Sequence, residues 1–133
     1  MAQGISTGPV HHLRLTVTDV ERSRTFYSEV LGFETVMELD PGVFLSNGAV
    51  GLGIGPAPVQ ASVGDRFDEN RVGLDHLSFS VGDRQQLEAA VKTLDAHGVP
   101  HGEIKDLGEA FQMFILAFRD PDNIQLELSA PYG

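Results

Sequence analysis

A chain of 133 residues is long enough for one ordinary hydrophobic core and too short for two independent ones. Apolar content of 41% and charged content of 21% are those of a globular protein. A formal net charge of −10, from 19 acidic against 9 basic side chains, argues against nucleic acid or an anionic membrane surface as a partner and would suit a cationic ligand. The absence of cysteine removes disulfides, thiolate ligands and a cysteine nucleophile. Residues 1–9 carry no basic region followed by an apolar run, so no signal peptide is expected. No apolar run approaches the ~20 residues that span a bilayer, and a cytoplasmic protein free of the membrane is expected.

Residues 1–9 are rich in Gly, Ser, Thr and Gln and read as a frayed tail. Over 11–18 the pattern alternates, with Leu13, Leu15 and Val17 pointing one way and His12, Arg14, Thr16 and Thr18 the other. This is a half-buried strand, and it leaves His11 on the apolar side. Thr18 and Glu21 resemble a capping box, with Asp19 as the competing N-cap. The helix that follows carries Val20, Phe26, Tyr27, Val30 and Leu31 on one face and stops at Gly32. Strands are expected over 33–39, 43–45 and 49–54, separated by turns at Asp40-Pro41-Gly42 and Asn47-Gly48. Residues 56–73 hold Pro56, Pro58, Gly64 and the charged run Asp65-Arg66-Phe67-Asp68-Glu69, an unusually long loop for a compact domain. It reads as a linker between modules, or as a linker that also covers a pocket or a partner.

The second half repeats the first. At one constant offset His12 meets His76, Leu13 meets Leu77, Leu15 meets Phe79, Val17 meets Val81 and Asp19 meets Asp83. A strand is expected over 74–81, with Leu77, Phe79 and Val81 on one face and His76, Ser78 and Ser80 on the other. Leu87, Val91 and Leu94 mark a helix that Gly98 ends, and His97 in its last turn suits the helix dipole, a structural role. Further strands are expected over 99–105, 111–118 and 124–129, with Asp120-Pro121-Asp122-Asn123 as the last hairpin loop. In the final strand Ile124, Leu126 and Leu128 alternate with Gln125, Glu127 and Ser129. The expected fold class is α+β, one domain over 1–133 with module one at 10–55, the linker at 56–73 and module two at 74–130.

Three of these strands pair an apolar with a polar face, and the polar faces carry His12, His76 and Glu127. If the apolar faces pack on the helices, all three side chains fall on the opposite, concave side of the sheet. Two imidazoles and one carboxylate on a rigid β surface are the ligand types of a facial triad, which leaves positions on a divalent metal open for substrate. One strand histidine would carry little weight; a matched pair with an in-phase glutamate carries more. Arg14, Ser78 and Gln125 share these faces, as pocket lining or as substrate contacts. No general base is evident.

These residues also carry a family resemblance. His12 with Asp19-Val-Glu-Arg-Ser23 and Phe26-Tyr-Ser-Glu-Val-Leu-Gly-Phe33, Gly73-Leu-Asp-His-Leu-Ser-Phe-Ser-Val81, and Phe118-Arg-Asp-Pro-Asp-Asn-Ile-Gln-Leu-Glu127 resemble the vicinal oxygen chelate superfamily, the group of glyoxalases, bleomycin-resistance proteins and ring-cleaving dioxygenases. The resemblance covers residues 10–130 and implies two βαβββ modules forming a curved mixed sheet around a concave site, with helices outside, often as a homodimer. It also implies a divalent metal (Fe, Mn, Ni, Co or Zn) held by His12, His76 and Glu127, and a small-molecule substrate that chelates it through vicinal oxygens. The implied chemistries are those of a lyase or isomerase, a dioxygenase or a thiol transferase.

Glyoxalase I has a fourth ligand, often glutamate, on the last strand of module one. Here Gly53 matches that position, with Gly51 the other in-phase choice, and no acid occurs between Pro41 and Gly64. Ring-cleaving enzymes carry a further histidine and a tyrosine before the Asp-Pro motif, where this chain has no histidine over 109–111 and Ala117 in place of the tyrosine. Fosfomycin-type enzymes have a threonine where this chain has Arg14. The alternative implied by the family is a metal-free small-molecule or antibiotic-binding protein of the bleomycin-resistance type.

Overall fold

The computed structural model describes residues 4–133, so the first three residues of the expected tail lie outside the described residues. Two compact units divide the chain, Met1–Gln60 and Ala61–Gly133.

The first unit runs β1 (His12–Thr16), α1 (Val20–Glu29), β2 (Glu34–Glu38), β3 (Val43–Ser46) and β4 (Gly51–Gly55). Its sheet has the order β1-β4-β3-β2, with β1 parallel to β4 and the other pairs antiparallel. The apolar alternation explains which face is covered: Leu15, Val17, Val43, Leu45, Leu52 and Ile54 are buried together with Phe26, Tyr27 and Phe33. Asp19, rather than the Thr18–Glu21 box, caps α1, its carboxylate accepting from the Arg22 N–H at 3.1 Å. The Thr18 hydroxyl is engaged instead by the Arg22 guanidinium at 2.7 Å. The two expected turns form as read. Asn47 Oδ1 accepts from the N–H groups of Ala49 and Val50, both at 2.9 Å. Gly42 has φ +105° and lies so close to Ile54 that a Cβ would stand 2.4 Å from its carbonyl oxygen, so this turn needs glycine.

The second unit repeats the order with β5 (Leu77–Ser80), α2 (Arg84–Ala96), β6 (Lys105–Asp106), β7 (Met113–Arg119) and β8 (Gln125–Pro131). Its sheet order is β5-β8-β7-β6, with β5 parallel to β8. Asp83 caps α2 as Asp19 caps α1, accepting from the Gln86 N–H at 3.0 Å. Leu87, Leu94, Leu116, Phe118, Ile124, Leu126, Leu128 and Ala130 are buried. The result is α+β: two four-stranded mixed sheets and two helices, in the arrangement of two βαβββ modules.

Two strands are shorter than the alternation suggests. The strand expected over 74–81 starts only at Leu77, because the Asp75 carbonyl is taken by the Gln125 side-chain amide at 3.1 Å. The stretch 99–105 keeps one bridge, His101 to Phe118, before β6 pairs Lys105 with Ile115. The step from His101 to Lys105 is one residue longer than the step from Phe118 to Ile115, and this bulge interrupts the ladder. Among the described residues no helix is long and apolar enough to cross a membrane.

Candidate metal centre

The best-defined polar cluster lies in the second unit. Along β8 Leu126, Leu128 and Ala130 are buried, which turns Gln125, Glu127 and Ser129 to the other face. Glu127 sits opposite Ser78 of β5, and His76, immediately before β5, brings Nε2 to 3.6 Å from Glu127 Oε1. The other imidazole nitrogen, Nδ1, is 2.8 Å from Asp75 Oδ1. A carboxylate at Nδ1 favours a proton on that nitrogen and leaves Nε2 as the nitrogen nearer Glu127.

Asp75 is itself held. The Gln125 amide donates to its carbonyl at 3.1 Å and to Oδ1 at 2.9 Å, and the Gln125 oxygen accepts from Arg119 Nη2 at 3.4 Å. Arg119 then meets Glu69 with two bonds, at 3.1 Å and 2.5 Å. One chain of polar contacts thus runs from the loop residue Glu69 to the ligand-type pair. Sequence reading singled out Gln125 but missed Asp75, Arg119 and Glu69. The alternating pattern on β8 marks where Gln125 points, whereas nothing local joins Glu69 to Arg119.

The same contacts fix part of the long loop. The Phe67 N–H donates to the Asp122 carbonyl and Asn123 Nδ2 to the Phe67 carbonyl, both at 3.0 Å. Hydrogen bonds from Arg119 lower the Glu69 carboxyl from the usual 4.5 to about 2. A depressed carboxyl contributes stability that is fully present above its unfolded value and is lost as pH falls through about 2. In an Arg119→Met variant the Glu69 titration, followed by carboxyl NMR, is expected to return toward 4.5. An unmoved titration would show that Arg119 does not hold the loop.

In the first unit His12 opens β1 on the exposed face. Its Nδ1 lies 2.9 Å from Nδ1 of His11, with the rings edge-to-face at 5.1 Å. His11, expected on the apolar side, is exposed because it precedes the strand and the alternation does not reach it. In both units, then, the residue just before the repeated histidine occupies Nδ1: His11 for His12, Asp75 for His76.

Strand register identifies the module-one counterpart of Glu127. Arg14 pairs with Gly53 as Ser78 pairs with Glu127, so Gly53, not Gly51, holds the equivalent position. The space that a side chain would take there is filled. Arg14 lies along β4, with Nη1 3.4 Å from where a Gly53 Cβ would stand and Nη2 2.3 Å from that of Gly55. The Phe44 ring covers Gly51 in the same way, Cζ lying 2.3 Å from a Cβ built there. Ser78 Oγ is paired with Ser129 Oγ at 2.5 Å.

Among the described residues, no group of three or more metal-ligating side chains is gathered as a ready-made cage. The pair in the second unit nevertheless has the right donors. A nitrogen and an oxygen each ~2.1 Å from one ion stand about 3.0–3.5 Å apart at right to tetrahedral angles. The 3.6 Å between His76 Nε2 and Glu127 Oε1 needs only a small adjustment, and the second imidazole nitrogen already has its carboxylate.

A repeated βαβββ unit with histidine at the head of each copy defines a class of two-module proteins, and comparison with known sequences and structures agrees. The profile of the Glyoxalase/Bleomycin resistance protein/Dioxygenase superfamily matches residues 10–128. The chain belongs to this superfamily. It is similar to the protein YaeR of Escherichia coli (strain K12), at 32% identity over 90% of this chain and 93% of that one. The glyoxylase/bleomycin resistance protein/dioxygenase domain from Frankia sp. EAN1pec superposes with a TM-score of 0.77 at 33% identity, covering 95% of this chain and 99% of that one. Lactoylglutathione lyase from Agrobacterium tumefaciens shares the fold, with a TM-score of 0.72 at 21% identity over 93% and 94% of the two chains.

Proposed function

We propose that the protein is a divalent-metal-dependent enzyme acting on a small oxygenated substrate, with His12, His76 and Glu127 as the metal ligands. The observation that carries this reading is the His76–Glu127 pair, whose imidazole already has a carboxylate on its far nitrogen. Chains of that type are characteristic of metal-binding histidines, because they fix the ring and raise its basicity. His12, at the matching position of the repeat and with its own Nδ1 occupied by His11, is the third ligand in this reading.

A bound divalent ion would supply Lewis-acid polarisation to the vicinal oxygens of a substrate. The residues of the chain do the rest. Asp75 and Gln125 keep His76 in one orientation, and Glu127 brings a negative charge to the face on which it lies. Gly53 leaves the site without the second carboxylate that serves in glyoxalase I. The reading is therefore of family chemistry that does not use that group. Family resemblance carries with it a homodimer in the cytoplasm.

The test is metal content. Protein purified without added metal or chelator, and reconstituted anaerobically with Fe, Mn, Ni, Co or Zn, is expected to hold near-stoichiometric metal by elemental analysis. His76→Ala is expected to lose it. No retained metal in the wild type under any of these conditions would sink the metal-enzyme reading and leave a metal-free binding protein.

A further inference from the structure

We propose that Glu69 is a positioning residue for His76, acting through Arg119, Gln125 and Asp75, so that docking of the loop 67–70 and metal binding at His76 and Glu127 stabilise each other. The coupling to metal rests on the reading above, whereas the orientation of His76 by Glu69 stands without it.

Every step of the relay has a direction. The two Glu69 oxygens take both ends of the Arg119 fork, Nη1 at 3.1 Å and Nη2 at 2.5 Å. A bidentate pair of this kind fixes the plane of the guanidinium, and Nη1 also donates to the Asn123 carbonyl at 3.1 Å. Held in this way, Nη2 donates to Gln125 Oε1 at 3.4 Å. A guanidinium carries donors alone, so it faces the oxygen end of an amide and leaves the NH2 end for another partner. That partner is Asp75, whose carbonyl and Oδ1 accept from Gln125 Nε2 at 3.1 and 2.9 Å. Turning the amide over would set NH2 against the guanidinium and an oxygen against the carboxylate, a loss at both ends. Asp75 Oδ1 is thus the common acceptor of Gln125 and, at 2.8 Å, of His76 Nδ1.

Charge acts in the same sense. Against the opposing effect of burial, Glu69 first and Asp75 after it raise Arg119 above the usual guanidinium value. Arg119 therefore stands between two carboxylates. Without Glu69 its long side chain regains rotamer freedom and is drawn toward Asp75, where it competes with His76 for the same oxygen.

The place of Glu69 is itself built. On one side Phe67 exchanges two hydrogen bonds with the β7–β8 hairpin, both at 3.0 Å. On the other the Asn70 N–H is turned back onto Asp68 Oδ1 at 2.8 Å. The covalent route to His76 offers no comparable hold. His76 follows seven residues after Glu69, and Val72 and Leu74 on the way are exposed. Whatever passes between the loop and His76 passes across the hairpin rather than along the chain. Coupling of this kind is reciprocal: the factor by which the docked loop raises metal affinity is the factor by which metal favours docking.

The decisive measurement is the tautomer of His76 in metal-free protein, read from its 15N resonances in alkaline buffer. Wild type is expected to hold the proton on Nδ1. In Glu69→Ala the population protonated at Nε2 is expected to rise severalfold, with Glu69→Gln between the two. His97, bonded to the Thr93 carbonyl, and His101, bonded to Asp95, lie outside the relay and should stay where they are. A His76 tautomer unmoved in these variants overturns the inference, and so does movement of all three histidines, which marks a general loosening. Glu69→Gln carries the measurement by itself should Glu69→Ala not fold.

Competition against a fluorescent chelator then measures Zn2+ affinity. It is expected to fall by at least about fivefold in Glu69→Ala, and to fall no further when Glu69→Ala is added to Asp75→Ala, where the relay is already cut. Zn2+ is expected to slow hydrogen exchange of the Phe67 N–H in wild type by a similar factor. Equal Zn2+ affinity in wild type and Glu69→Ala, or losses that add in the double variant, overturns the coupling. A wild type that holds no Zn2+ fails the metal reading alone, and the tautomer still decides whether Glu69 positions His76.

Discussion

Asp75→Ala is expected to weaken divalent-metal binding by about 10- to 100-fold, the usual effect of removing the partner of a metal-bound histidine. Asp75 accepts from Gln125 and lies 2.8 Å from His76 Nδ1, so its loss frees both the tautomer and the rotation of the ring. Its side chain is 65% exposed, so the substitution removes little packing and the thermal midpoint should barely move. Asp75→Asn keeps an acceptor oxygen at the same place and should recover part of the affinity, whereas Gln125→Ala should produce a smaller loss than Asp75→Ala. Competition against a fluorescent chelator measures all of these. Equal affinity in wild type and Asp75→Ala would mean that the imbalance between the two imidazole nitrogens has no bearing on metal.

The largest loss of stability is expected at Leu126. It has no exposed surface and stands in β8 between Leu77 of β5 and Phe118 of β7. Truncation to alanine removes the transfer energy of the side chain and leaves a cavity that stiff sheet neighbours cannot collapse into, about 2–5 kcal/mol in all. Domains of this size are stable by only about 5–15 kcal/mol, so the urea midpoint should drop steeply. A midpoint unchanged in Leu126→Ala would contradict the burial of that face. The effect reaches the site as well, since Leu126 and Leu128 are the buried neighbours that set the direction of Glu127.

The module order was legible because β-strands with one covered face write their alternation into the chain, and the two caps, Asp19 and Asp83, stand at the same place in both copies. Glycines at positive φ, Gly32 at +73° and Gly98 at +65°, closed each helix where the pattern ended. What alternation does not encode is competition for backbone groups. The late start of β5 follows from a Gln125 amide that arrives from another strand, and the broken pairing after His101 follows from one extra residue. The placement of His12 and Glu127 on the uncovered faces of their strands was legible for the same reason as the strands. The partners that support His76 were not: Glu69 and Arg119 are fifty positions apart and meet at 2.5 Å only after folding.

The register match of Gly53 with Glu127 has an evolutionary consequence. Positions on this face alternate with the buried ones, so one copy of the unit can carry glycine where the other carries a carboxylate without altering the hydrophobic face behind it. Leu52 and Ile54 stay buried on either side of Gly53, as Leu126 and Leu128 do around Glu127. Selection on stability therefore preserves the twofold likeness of the halves, while the residues between the buried ones are free to specialise. The two copies can hold one architecture and drift toward different labours.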